Sequence, residues 1–423
     1  MLYYRRKENR QKNTEYTLFE VNYMKKNTVI SAALAALLLL SGCQNQPQAT
    51  TSPLVDTTLP PVTTEFSELI VPPSPNPETV YSVSMPITTE AGLAEDGTEY
   101  FHYSYQTMNL TVPDREVADK VIIDFLSRVE STREDAGRIH DLAQAAYTAR
   151  APRFQPYFYQ IQYNPARIDQ GVLSLFGQIV TVSDAGHAST ESISANYNMV
   201  TGDVLTLGSI LYQADRKEDI AQLVIKDLES REELALYDDF RDTVRDRFRR
   251  DESTDEDFYF SSYGLCFYFS PYEIAPYVYG TVEVEIPYNK LTGLISDEFF
   301  PDERILSSGH LNAMDFDKAD LQDYDQFAEI VVDSGADMVL LTADSTLQDI
   351  KILQLIWTKG DATYTQTKTI FASNVLTAQN AILLEADFSS NQPPFLITYL
   401  QNGELCSRFL AFDAATREYT LTK

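Results

Sequence analysis

Glu283 and Glu285, in the stretch Thr281-Val-Glu-Val-Glu-Ile-Pro287, are two carboxylates separated by one residue. On a strand such a pair shares one face about 7 Å apart, close to the shortest separation of the acid and base in inverting glycosidases. Cleavage of a glycosidic bond is therefore the first chemistry to weigh. Alternation with Val282, Val284 and Ile286, however, puts both acids on a polar, solvated face. Their pKa values are then expected to stay ordinary, and catalysis by the pair is not expected. Just upstream, Tyr272-Glu273-Ile-Ala-Pro-Tyr277-Val-Tyr279 gathers rings beside prolines. Such rings stack on sugars or anchor a protein partner; the other reading is that they plug the end of a sheet. His187, in Asp184-Ala-Gly-His187, offers an imidazole that changes charge near neutrality, or one that satisfies the backbone of its own turn. His187, Tyr272, Glu273, Tyr277 and Tyr279 are the candidate ligand-binding residues.

Other catalytic patterns are missing from the sequence. The four histidines, 102, 140, 187 and 310, are scattered, with no pair at the helical spacing of a zinc hydrolase. Gly-x-Ser-x-Gly, Gly-x-x-x-x-Gly-Lys and Cys-x-x-Cys do not occur. No catalytic residue, metal ligand or cofactor is assigned from the sequence.

The elements that position the loop are legible around it. Leu265, Phe267 and Phe269 alternate with Cys266, Tyr268 and Ser270, the period of a half-buried strand, and Pro271 stops it. A second half-buried strand runs from Thr281 to Pro287, and the two form the centre of a sheet. Pro113 is expected to open a helix with Asp114 and Glu116 in its first turn. Val117, Val121, Ile122, Phe125, Leu126 and Val129 form its apolar face, and a more polar helix covers 132–149. Strands are expected at 157–163, 172–182 and 190–199, and a helix running from Leu207 through Leu211 to Ile220. Between Asp227 and Asp257, arginines interleave with acids at helical spacing. That is a solvated helix or, as the sharper alternative, a face for an anionic polymer such as teichoic acid. Beyond Leu311 only strands are expected, with Asn402-Gly403 as a hairpin turn.

The N-terminal region speaks to location. Lys25 and Lys26, an apolar run from Val29 to Leu40 and then Leu40-Ser-Gly-Cys43 have the layout of a secretory signal. The run is too short for a bilayer span, which takes ~20 residues. Leu-Ser-Gly-Cys resembles the bacterial lipoprotein box, which implies a diacylglycerol bearing palmitate-type chains on Cys43. Two or more acyl chains hold stably where one does not. The expected organisation is an upstream extension (1–23), signal peptide (24–42), a linker (43–78) rich in proline and threonine, an α+β module (79–305, subdivided near 170) and a β domain (311–423). The fold class is α+β, a mixed or antiparallel sheet with packed helices followed by a smaller all-β domain. With 62 acidic against 33 basic residues, the net charge is −29. Nucleic acid, which needs a basic face, is excluded as a partner, and basic proteins are favoured by long-range attraction.

Phe267-Tyr-Phe-Ser-Pro-Tyr-Glu-Ile-Ala-Pro-Tyr-Val-Tyr-Gly280 and Val282-Glu-Val-Glu-Ile-Pro-Tyr-Asn-Lys-Leu291 resemble a domain of unknown function. That domain closes the lysozyme-sensing anti-sigma factor RsiV and precedes the catalytic domain of the peptidoglycan deacetylase PdaC. Thr201-Gly-Asp-Val-Leu-Thr-Leu-Gly-Ser-Ile-Leu211 and Ala185-Gly-His187 resemble two more of its segments, so the likeness covers roughly residues 80–300. It implies an extracytoplasmic binding or sensor module on the outer face of the cell membrane, with lysozyme or peptidoglycan as the class of ligand. A peptidoglycan-acting enzyme or accessory is the alternative. The anti-sigma role is not implied, because cleavage before Cys43 removes any cytoplasmic part.

Overall fold

The computed structural model describes residues 79–150, 154–183, 187–213, 216–249, 258–301, 309–319, 324–333, 335–357, 364–389, 392–413 and 416–422. The expected extension, signal peptide, Cys43 and linker lie outside the described residues. Among the described residues no helix is long and apolar enough to cross a membrane.

In the first half the chain runs β1 (Ser82–Ser84), β2 (Ile87–Leu93), β3 (Glu99–Gln106), β4 (Asn109–Thr111), α1 (Arg115–Ser131), α2 (Arg133–Arg150), β5 (Tyr157–Ile168), β6 (Val172–Ser183) and β7 (His187–Asn198). It continues through α3 (Leu207–Ile210), α4 (Lys217–Glu229), α5 (Phe240–Arg249), β8 (Phe258–Phe260), β9 (Gly264–Phe269), β10 (Val282–Pro287) and α6 (Tyr288–Leu291). Then follow β11 (Leu311–Asp315), β12 (Gln326–Val331), β13 (Asp337–Ala343), β14 (Leu347–Trp357), β15 (Tyr364–Leu376), β16 (Asn380–Ala386), β17 (Phe395–Gln401), β18 (Glu404–Asp413) and β19 (Glu418–Thr422).

Asp114 rather than Pro113 marks the start of α1, since its side chain accepts from the Glu116 N–H at 2.8 Å and so satisfies one of the open donors of the first turn. Val117, Val121, Phe125 and Val129 form its buried stripe. That stripe packs on a five-stranded sheet of order β2-β3-β5-β6-β7, whose β3–β5 pair is parallel. The opposite face of this sheet is polar, presenting Ser174, Ser192, Ser194 and Asn196, and on it lies a three-stranded sheet, β10-β9-β8. A relay of buried bonds joins the two sheets. The Phe260 N–H donates to Ser174 Oγ at 2.8 Å, Ser174 Oγ to Asn196 Oδ1 at 2.7 Å, and Asn196 Nδ2 to the Phe258 carbonyl at 2.8 Å. Helices α4 and α5 cover the outer face of the small sheet through Val224, Leu228, Val244 and Phe248. The expected continuous helix from Leu207 to Ile220 is two helices, because α3 ends at an extended Leu211 that bridges to Ile295.

Arg167 ties β5 to the end of this unit. It is 3% exposed and donates to Asp169 at 2.6 Å, Tyr288 Oη at 2.7 Å and the Phe299 carbonyl at 2.7 Å. Burial and the neighbouring Arg167 act against each other on Tyr288; burial wins and pushes its phenol up to about 12.

Residues beyond 309 form a two-sheet sandwich, one sheet of order β11-β13-β16-β12 and one of order β19-β18-β17-β14-β15-β1-β4. Leu341, Ile382 and Leu384 of the first meet Ile350, Phe371 and Ile397 of the second. The expected self-contained β domain is thereby corrected. β1 and β4, from the very start of the described chain, extend the larger sheet past β15, with Ser82 opposite Ser373 and Val83 opposite Ala372. The Tyr81 N–H donates to Asn374 Oδ1 at 2.8 Å and the Asn374 N–H to the Tyr81 carbonyl at 3.0 Å. Between β1 and β4 the chain crosses into the five-stranded sheet as β2 and β3, so one hairpin holds both halves together. Lys351 Nζ, donating to the Ala166 carbonyl at 2.8 Å, and the Thr369 N–H, donating to Asn164 Oδ1 at 3.1 Å, add to the joint.

Candidate functional site

The tyrosine loop links β9 to β10. It opens with Tyr272 in the left-handed region, at φ 70°, where a residue with a Cβ is strained by about 1–2 kcal/mol. It closes on Gly280, at φ 63°. Tyr272 and Tyr277 stack, with ring centroids 5.4 Å apart and 29° between planes. They stand 66% and 53% exposed beside Val278 at 69%, forming an aromatic platform open to solvent. Tyr279 does not join them, for its ring is half-buried against the core of the small sheet. Glu273 turns inward as well. Its carboxylate accepts from the Ser270 N–H at 2.8 Å and pairs with Arg247 at 3.4 Å. Arg247, largely buried, also donates to the Tyr268 carbonyl and lies over the Phe269 ring at 4.9 Å. The base of the loop is thus clamped to α5. Tyr279 and Glu273, read as contacts for a ligand, are structural supports of the Tyr272–Tyr277 pair.

His187 is the first residue of β7, opposite Ser183. Asp184, Ala185, Gly186 and the His187 side chain lie outside the described residues. The strand it opens meets the far end of the loop, where Ser192 Oγ and Thr281 Oγ1 hydrogen-bond at 2.8 Å.

The full burial of β9 contradicts its half-buried reading. Cys266 and Tyr268 do not face water but the polar face of the five-stranded sheet, where Tyr268 Oη and Ser194 Oγ bond at 3.1 Å and Phe176 lies against Tyr268 and Tyr259 at 5.1 and 4.5 Å. Only β10 keeps the expected alternation.

Glu283 and Glu285 share the exposed face of β10 but are not free in solvent. Tyr259 Oη donates to Glu283 at 2.6 Å. Ser261 Oγ donates to Glu285, and the Cys266 thiol lies 3.6 Å from the same oxygen. Burial raises the Glu283 carboxyl above its ordinary value, against the opposing pull of the Tyr259 bond and of Arg231. The expectation of an ordinary pKa is corrected for Glu283. Burial, reinforced by Glu285, also pushes the Cys266 thiol up, which keeps it protonated and a poor nucleophile. This row of groups holds a proton at Glu283 more readily than a solvated acid would. It was hidden in the sequence because β8, with its Phe258-Tyr-Phe260 alternation, is only three residues long and follows a dense run of charges.

The arginines of α5 are paired with acids at its surface, Arg241 with Glu229 at 2.6 Å, Arg245 with Asp242 at 3.4 Å and Arg249 with Asp246 at 3.4 Å. Little uncompensated positive charge is left there for an anionic polymer.

Residues 208–289 carry the loop, its clamp and both glutamates. They match the family model of DUF3298, a protein of unknown function. Among solved structures, a DUF3298 family member from Bacteroides fragilis is similar at 14% identity and a TM-score of 0.38, covering 52% of this chain and 94% of its own. A DUF3298 family protein from Pseudomonas aeruginosa is similar at 17% identity and a TM-score of 0.34, covering 52% of this chain and 97% of its own. No curated protein matches the chain.

Proposed function

We propose that this chain is a lipid-anchored extracytoplasmic binding protein, held to the outer face of the cell membrane through Cys43, whose tyrosine loop captures a basic envelope-associated protein such as lysozyme, or peptidoglycan. The observation that carries this reading is the exposed Tyr272–Tyr277 stack on a loop whose base is fixed by Glu273 and Arg247. Aromatic rings held in place before contact lose little entropy on binding, which is why such residues serve as anchors. The net charge of −29 favours a cationic partner, and Leu40-Ser-Gly-Cys43 supports the anchor.

The test is capture of lysozyme and of purified peptidoglycan at low and high salt, by wild type and by Tyr272→Ala/Tyr277→Ala. Salt-sensitive lysozyme capture, or peptidoglycan capture, that is lost in the double variant is expected. Capture of neither, or capture indifferent to both tyrosines, would overturn the loop's role. For the anchor, mass spectrometry of the processed N-terminus is expected to show acylated Cys43; an unprocessed chain in the cytosol would refute it.

A second reading, an enzyme acting on peptidoglycan, is favoured by one observation only, the raised carboxyl of Glu283 beside Tyr259. It requires turnover of wall fragments that disappears in Glu283→Gln.

A further inference from the structure

A cavity of about 320 Å³ opens at the rim of the C-terminal sandwich, at the small end of the range for ligand pockets. It lies where both sheets run out, for β4 is the last strand of one and β12 the last strand of the other. On one wall, Thr111, Ser82 and Ser373 are direct neighbours across three strands and form a row of hydroxyls. Across from them Gln326 and Asn380 stand side by side on β12 and β16. The depth is closed by Phe371, Leu376 and Ile382, all core residues. Ser82, 3% exposed, borders the cavity.

Among the described residues no charged side chain lines the cavity, although the chain holds 62 acidic and 33 basic residues. An ion entering it would give up its hydration without meeting a counter-charge. At about 30 Å³ for a water-sized group, the space suits about ten non-hydrogen atoms. We infer that this cavity is a second binding site, separate from the tyrosine loop, for a small uncharged amphiphile: a short alkyl chain that fills the apolar depth and ends in a hydroxyl or amide head bonded to Ser82 and its neighbours.

The probe is 1-octanol, titrated against the full chain by ligand-observed NMR, with octanoate and octylammonium as charged counterparts of the same length. Saturable octanol binding at one site per chain is expected, at least ten-fold tighter than either ion. Ser82→Ala, which leaves the fold's packing in place, should weaken it about five-fold, the scale of one hydrogen bond, and Ala328→Phe, which fills the depth, should abolish it. Circular dichroism confirms that each variant is folded. Absence of saturation, equal binding of octanoate, or indifference to Ser82→Ala would each overturn the proposal. So would binding seen only after Phe66→Ser and Ile70→Ser, which would assign the cavity to the chain's own residues ahead of Thr79. Loss of a dimer in Ala328→Phe without octanol binding would likewise overturn it, giving the cavity to a second copy.

Discussion

Tyr259 on β8 donates its hydroxyl to Glu283 on β10 at 2.6 Å, passing over β9, which lies between the two strands. The bond stabilises a carboxylate that burial makes costly, and burial prevails, so the folded protein holds the Glu283 proton more tightly than the unfolded chain does. A raised carboxyl subtracts stability as pH climbs from its ordinary value of 4.5 through the folded value, and the loss is complete above it. Glu283→Gln keeps an acceptor for Tyr259 and removes the charge. Its Tm should therefore exceed that of wild type at pH 7 and converge with it near pH 3. The gain should stay below ~1 kcal/mol, because the side chain is open to solvent along one flank. A Gln variant whose deficit grows toward neutral pH would contradict the assignment.

Lys368 on β15 gives a larger effect of opposite sign. It is 8% exposed, and burial alone lowers its ammonium from 10.5 to about 8. Below pH 8 both folded and unfolded chains carry the proton, and the folded state bears the full cost of a buried charge. Between about 8 and 10.5 the unfolded chain binds more protons, so stability rises with pH across that window. The shift corresponds to ~3 kcal/mol at most. Lys368→Met keeps the length of the side chain without the charge and should stabilise by ~1–3 kcal/mol at pH 7. Urea titrations of both proteins at pH 7 and pH 10.5 check this: the gap must shrink at the higher pH.

Local periodicity made the elements around the loop legible, and the α+β class with them. The apolar stripe of α1 and the alternation of β10 need only neighbours in sequence. What sequence could not show is which polar faces become interior. Cys266 and Tyr268 are buried because Ser192, Ser194 and Asn196, on a strand some seventy residues earlier, present a polar surface that hydrogen-bonds back. The pairing of Val83 with Ala372 has no local signal at all. At the site, composition left the tyrosine loop open between a stacking platform and a plug; the structure exposes the rings of Tyr272 and Tyr277 and half-buries Tyr279. The inward turn of Glu273 depended on Arg247, whose neighbours in sequence pair at the surface.

The shared sheet makes the C-terminal segment dependent on the first residues of the module. Expressed alone, 309–423 would lack β1 and β4, and β15 would become an open edge carrying Phe371 and Ser373, a template for pairing with other chains. Size-exclusion chromatography should show oligomers or aggregate for 309–423, and a soluble species for 79–423. A folded, soluble 309–423 would restore the segment to an independent domain.

Tyr272 separates backbone from ring. Its φ of 70° costs about 1–2 kcal/mol for a residue with a Cβ and almost nothing for glycine. Tyr272→Gly relieves that strain but loses the stack on Tyr277, worth ~0.5–1.5 kcal/mol, and gains freedom in the unfolded chain worth ~0.5–1 kcal/mol. These terms offset, so its stability should lie within ~1 kcal/mol of wild type. Tyr272→Val loses the stack and keeps a branched Cβ where φ is positive, so it should fall ~2 kcal/mol below wild type. Denaturant midpoints of the three proteins decide it. If Gly and Val are equally destabilised, the ring and not the backbone sets the loop. If Gly matches wild type while Val falls below it, the relief of backbone strain offsets the lost stack as expected.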